Sequence, residues 1–171
     1  MLEQLISSLE SLNITGQINR PVSGICFDSQ EVKPGEVFAA IQGLESDGYA
    51  YQKQAIKAAA AAIVSASEQA QNSIPFIQVK NARTALARLA AEFYRYPDKS
   101  LNMIAVTGTN GKTTTAYLIR SILEAGGHSV GLLGTIEYFV GNEKIPAERT
   151  IPESLDYNDI ASAENARFIL S

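Results

Sequence analysis

The chain has 171 residues, 46% of them apolar, with a formal net charge of −4 and one cysteine. That length suits one medium domain or one small domain and part of another. The acidic balance, without a basic cluster, argues against a nucleic-acid surface, and the single Cys26 excludes an intrachain disulfide framework. Met1 to Leu12 does not read as a signal peptide, and no stretch reads as a membrane span, so a cytoplasmic location is the expectation.

Leu2, Leu5, Ile6, Leu9 and Leu12 recur at helical spacing and predict an amphipathic helix at the start. Val22 to Phe27 and Val37 to Ile41 predict strands, with Lys33-Pro34-Gly35-Glu36 as a tight turn between them. Tyr49 to Ala60 predicts a helix, and Ala61 to Ala66 and Pro75 to Val79 predict strands. Asn81 is placed to cap a helix running to Tyr94. Tyr96 to Ser100 is the predicted boundary, giving domains over 1–98 and 99–171. Beyond it come an apolar run from Leu101 to Val106, a glycine loop and a helix-like run from Ala116 to Leu123. Gly126-Gly127 is placed to end that helix. Ser129 to Gly134 predicts another strand, and Gly141-Asn142 predicts a hairpin between Thr135 to Val140 and Glu143 to Ile145. Pro152 to Ser171 has irregular periodicity and is expected to be partly helical. The alternation makes this an α/β chain: a small N-terminal α/β domain followed by an incomplete phosphate-loop α/β domain.

The loop Thr107-Gly108-Thr109-Asn110-Gly111-Lys112-Thr113-Thr114-Thr115 carries the chemistry. Glycines let backbone N–H groups turn toward a polyphosphate, the helix start adds partial positive charge, and Lys112 adds a full one. Thr113 is placed to bring a hydroxyl to Mg²⁺. The generic pattern needs a glycine where this chain has Val106, so the loop is a variant form.

These residues resemble the Mur ligase family, which builds the peptidoglycan stem peptide. The loop has that family's form. Phe27-Asp28-Ser29, then Val32-Lys33-Pro34-Gly35 and Val37-Phe38, resembles its D-S-R-x-V-x-P-G-x-x-F motif, with Gln30 in place of arginine. Gly43, Asp47-Gly48, Tyr51 and Gln54-Ala55-Ile56 resemble a second motif, and Arg83 to Tyr94 with Pro97 resembles the helix before the ATP domain. Gly131 to Thr135, Ile145-Pro146 and Thr150-Ile151-Pro152-Glu153 continue the match, with Ile151 in place of a second threonine.

The resemblance implies a UDP-binding first domain and an ATP-binding second domain. It implies a ligase that phosphorylates a substrate carboxylate with ATP and then lets an amine displace the phosphate. Its narrower motifs imply the family member that adds the third residue to UDP-MurNAc-L-Ala-D-Glu. It implies ATP and Mg²⁺ at Gly108, Thr109, Asn110, Gly111, Lys112, Thr113 and Thr114, with Lys112 catalytic and Thr113 a metal ligand. Asp28 and Ser29 would bind the uridine diphosphate end of the UDP-MurNAc-peptide substrate, and Thr150 its muramoyl-peptide part. Taken alone, Asp28 and Ser29 also fit a turn whose side chains bond local backbone. The residues that choose lysine or meso-diaminopimelate would lie in a third domain outside this sequence. The chain by itself is therefore expected to be inactive, with an unpaired sheet edge that favours self-association. A non-catalytic UDP/ATP-binding truncated relative, and another Mur-type or a folylpolyglutamate synthase-like ligase, are the competing readings.

Overall fold

The computed structural model describes residues 1–41, 48–68, 74–134, 137–140, 143–146, 154–155, 158 and 168–170. The chain divides into two compact units, Met1–Phe93 and Tyr94–Ser171.

In the first unit the elements run α1 (Leu2–Ile6), β1 (Ser11–Thr15), β2 (Gly24–Cys26), β3 (Glu36–Ala40), α2 (Gly48–Lys57), β4 (Ala62–Ser65), β5 (Phe76–Val79) and α3 (Ala82–Phe93). The described strands form one sheet in the order β1-β5-β4-β3-β2. Neighbours from β2 to β5 are parallel, and β1 runs antiparallel to β5. All four residues of β4 are buried, as are Val37 to Ala40 of β3. That is the pattern of a parallel sheet covered on both faces. Phe38 and Ala40 join Ala55 of α2, Ile63 and Phe76 in one core cluster. Strand alternation sends Val37 and Ala39 to the opposite face, and α3 packs across β2, β3 and β4 with Leu86, Leu89 and Ala90 buried.

Local chemistry explains the connections. The N–H of Glu36 donates to the Lys33 carbonyl at 3.2 Å, closing the expected turn. Gly35 has φ +86, which the third position of a type II turn requires. The Glu36 carboxylate accepts from the Lys33 N–H at 2.8 Å and ties the turn a second time. Asn81 Oδ1 accepts from the N–H groups of Arg83 at 2.9 Å and Thr84 at 3.0 Å, so the expected cap of α3 is formed.

The first helix is shorter than its leucine spacing predicts. It ends at Ile6, and Ser11–Thr15 is a strand. The Ser7 hydroxyl donates to the Gln4 carbonyl at 2.7 Å and that of Ser8 to Leu5 at 3.1 Å. Such serine bonds compete with helix continuation. Leu9 remains in the core, whereas Leu12 is 56% exposed.

In the second unit a 3₁₀ turn at Pro97–Ser100 leads to β6 (Asn102–Ile104), α4 (Lys112–Ala125), β7 (Val130–Leu133), β8 (Glu137–Val140), β9 (Glu143–Pro146) and β10 (Phe168–Leu170). The described strands are ordered β6-β10-β7-β8-β9. The first three are parallel, and β7, β8 and β9 are successively antiparallel. The expected hairpin is present, with Val140 opposite Glu143; Gly141 and Asn142 lie outside the described residues. No strand is expected from the pattern of 152–171, yet β10 lies between β6 and β7. Three apolar residues are too few to show a period, and their pairing is entirely non-local.

Ala116 of α4 packs on Val130 and Leu132, flanked by Ile104, Val106, Ile119, Leu123 and Phe139. The helix ends in a Schellman arrangement: Gly127 N–H donates to the Glu124 carbonyl at 2.9 Å and His128 N–H to that of Leu123 at 3.0 Å. Gly127, with φ +80, is the left-handed residue of the pair. No helix among the described residues is long and apolar enough to cross a membrane.

Candidate functional site

The glycine loop joins β6 to α4, so a strand edge delivers it and a 14-residue helix follows it. Gly111 is the residue before the helix and has φ +78, a conformation costly for any side chain with a Cβ. Its carbonyl accepts the Thr115 N–H at 2.9 Å, which starts the helical ladder. The preceding N–H groups of Lys112, Thr113 and Thr114 are first-turn donors with no intrahelical partner. Gly111, at the capping position, has no side chain to cap them. Thr107 to Lys112 is exposed throughout, as is Thr114, while Thr113 is half-buried.

Lys112 folds back over this loop and donates from Nζ to the Gly108 carbonyl at 2.7 Å. The ammonium is thereby held against the backbone of its own loop. Helix dipole, backbone donors and a full charge occur together on this exposed loop, a setting that favours a polyphosphate. The loop residues Gly108 to Thr114 fit a nucleotide's phosphates. The Thr113 hydroxyl, at the second helical position, fits one ligand position of a phosphate-bound Mg²⁺. Two contacts fasten α4 to β8 behind the loop: Arg120 lies 3.8 Å from the Phe139 ring centre while pairing with Glu124 at 2.7 Å, and Tyr117 meets Phe139 edge to face at 6.0 Å.

The second candidate region lies in the first unit, just after β2. Asp28 Oδ1 accepts the Gln30 N–H at 2.9 Å, and the Asp28 carbonyl accepts the Glu31 N–H at 3.1 Å. The Asp28 carboxylate thus shapes the loop. Ser29 is buried, at 6% exposure, and its hydroxyl donates to Oε1 of Gln54 on α2 at 3.1 Å. Cys26, the last residue of β2 and three positions before Ser29, is buried, and burial pushes its thiol pKa up. That favours the protonated form and an inert packing role.

Sequence reasoning placed Gln54 inside a motif without giving it a part in the site; its pairing with Ser29 emerges only from the packing of α2. Gln52, which the sequence pattern did not single out, is fully buried, and its Nε2 donates to Ser67 Oγ at 2.9 Å and the Glu68 carbonyl at 3.1 Å. Thr150 and Ile151 lie outside the described residues, as do Gly43 and Asp47 of the second motif.

A strand, a glycine loop, a lysine turned onto that loop and the helix it opens have the form of a phosphate-loop α/β unit. Comparison with known proteins narrows this. Residues 21–94 match the Mur ligase family, catalytic domain, and residues 106–167 match the Mur ligase middle domain. The chain belongs to the Mur ligase family.

Among its relatives is the UDP-N-acetylmuramoyl-L-alanyl-D-glutamate–2,6-diaminopimelate ligase of Clostridium tetani, 42% identical over 163 residues that span 93% of this chain and 34% of that one. A solved ligase of the same description superposes with a TM-score of 0.79 at 22% identity, over 100% of this chain and 36% of that one. The MurF ligase of Thermotoga maritima in complex with ADP gives 0.57 at 23% identity, over 85% and 30%. The chain therefore spans about a third of the length of the curated relatives it matches.

Proposed function

We propose that this chain is part of an ATP-dependent ligase that adds the third amino acid to UDP-MurNAc-L-Ala-D-Glu in peptidoglycan synthesis. The observation that carries the reading is the loop itself: Lys112 Nζ sits 2.7 Å from the Gly108 carbonyl, over exposed backbone at the start of α4. The names of the relatives support 2,6-diaminopimelate as the incoming amine. We assign the UDP end of the substrate to residues 1–98, near Asp28 and Ser29, and the ATP phosphates to 99–171, with Thr150 toward the muramoyl-peptide.

ATP, when bound, supplies the phosphoryl group that activates a substrate carboxylate for attack by an amine. The chain's own residues hold and neutralise. Backbone N–H groups from Gly108 to Thr114 cradle the phosphates, and Lys112 offsets charge spreading over the transferred group. Thr113 offers a hydroxyl to Mg²⁺. The 171 residues alone are expected not to turn over, because they span about a third of the length of the ligases they match. Positioning of the acceptor carboxylate in line with ATP must come from elsewhere in a longer protein.

The test is titration of the 171-residue chain with UDP and, separately, ATP–Mg²⁺, followed by amide NMR shifts. UDP should move resonances of the 27–31 loop in the wild type and less in Ser29→Ala, and ATP–Mg²⁺ should move those of 107–115. Shifts absent from both segments would overturn the assignment.

A further inference from the structure

β1 is the end strand of the first unit's sheet: β5 pairs with one side of it, and no described strand lies on the other. Ser11 to Ile14 are exposed and Thr15 is half-buried. An open edge presents backbone N–H and C=O groups on which another strand can build, and proteins guard such edges with charge, proline or a bulge. β1, Ser-Leu-Asn-Ile-Thr, has neither charge nor proline. A register slip between Ser11 and Asn13 is the one guard present, and Asn13 to Thr15 pair regularly with Gln78 to Phe76. Two apolar side chains stand in the open here, Leu12 at 56% exposure and Ile14 at 40%.

The order of residue types decides what fits this edge. From either end the strand runs hydroxyl, apolar, amide, apolar, hydroxyl. Laid antiparallel against a second copy with Asn13 facing Asn13, Leu12 of each protomer stands opposite Ile14 of its partner, and Ser11 opposite Thr15. Apolar pairs and hydroxyl pairs are cross-strand combinations that stabilise an antiparallel ladder. Shifting the register by one residue sets Leu12 against Thr15 or Asn13, and Ile14 against Asn13 or Ser11, so apolar then meets polar. Charge does not oppose the match. In the favoured register Glu10 faces Gly16 of the partner, and it is already paired with Arg88 at 2.7 Å.

We propose that β1 is a contact surface for a second copy of this chain, through antiparallel pairing of the two β1 strands about a two-fold axis at Asn13. Each protomer offers the same patch to the other, as a closed isologous pair requires. The two five-stranded sheets then continue into one another. Five residues a side bury far less than the roughly 1,600 Å² of a standard interface, so the pair is weak and forms as concentration rises.

Sedimentation equilibrium of the 171-residue chain at concentrations up to about 1 mM tests this. Wild type is compared with Asn13→Lys, Asn13→Glu, an equal mixture of those two, and Met103→Lys. Met103 is exposed on β6, an end strand of the other sheet, so its variant reports association through the second unit. Thermal unfolding verifies that each protein is folded. Wild type should move from monomer toward dimer as concentration rises. Asn13→Lys and Asn13→Glu each set like charges face to face and should associate at least about threefold more weakly. Their mixture sets opposite charges there and should recover wild-type association or exceed it. Met103→Lys should behave as wild type. Under mild oxidation Asn13→Cys should cross-link to its partner, since residues facing each other in an antiparallel ladder have Cα atoms about 4.5–5.5 Å apart, within disulfide reach. Ser11→Cys, which faces Thr15, should cross-link more slowly. A wild type that stays monomeric throughout would overturn the proposal. So would association that persists in both Asn13 variants and is lost in Met103→Lys, or a charge mixture no stronger than its parts.

Discussion

Replacing Lys112 by alanine isolates the charge that the phosphate loop contributes. In the free protein the ammonium is bonded at 2.7 Å to the Gly108 carbonyl, in an exposed setting. That bond is surface-screened, so its loss should change stability by no more than about 0.5 kcal/mol. In the proposed nucleotide complex the same ammonium would face phosphate, where a charge-assisted hydrogen bond contributes roughly 1.5–3 kcal/mol. Lys112 must leave Gly108 to make it, so the net gain lies toward the lower end of that range. At about 1.4 kcal/mol per tenfold, the ATP–Mg²⁺ dissociation constant should rise at least roughly tenfold in Lys112→Ala. Lys112→Arg should recover only part, because a planar fork does not replace a compact ammonium in a tight loop. Calorimetry at fixed ionic strength on the three proteins measures this, with thermal unfolding run in parallel. An unchanged dissociation constant in a folded Lys112→Ala protein would mean that Lys112 does not touch phosphate.

Gly111→Ala meets no atom within 4 Å of the added Cβ, so its cost is the backbone strain of φ +78, about 1 kcal/mol; weakened ATP–Mg²⁺ binding with only a small fall in melting temperature is the expected result. Asn81→Ala removes the cap of α3 and should cost about 1 kcal/mol in denaturant unfolding, with ATP–Mg²⁺ binding unchanged. The purified 171-residue chain should form no UDP-MurNAc-tripeptide from UDP-MurNAc-L-Ala-D-Glu, ATP and either lysine or meso-diaminopimelate. Turnover that Lys112→Ala abolishes would contradict this.

What could be read in advance had short-range causes. The glycine loop, the Asn81 cap, the Lys33 to Glu36 turn and the end of α4 each depend on residues within a few positions of one another, and the residue types dictate the geometry. The first helix misled because Leu9 and Leu12 continue its spacing, while the Ser7 and Ser8 hydroxyls that close it leave no periodic trace. β1 and β10 were hidden because each exists through partners far away, Val79 to Phe76 for one and both β6 and β7 for the other. The candidate nucleotide region was legible as a motif, but not in its wiring. Ser29 and Gln54 are 25 positions apart, and nothing in either residue type announces that one shields the other.

The central position of β10 has a consequence for the order in which the molecule assembles during synthesis. The first unit has all of its described strands once Val79 has left the ribosome. β6 and β7 cannot bond to each other, since β10 stands between them. They must wait, with their inner edges open, for Phe168 to Leu170 to be made. Until then the nascent phosphate loop hangs on a strand with no neighbour among the described ones. A ribosome stalled before residue 168 should therefore carry a protease-resistant first unit and a protease-sensitive second one.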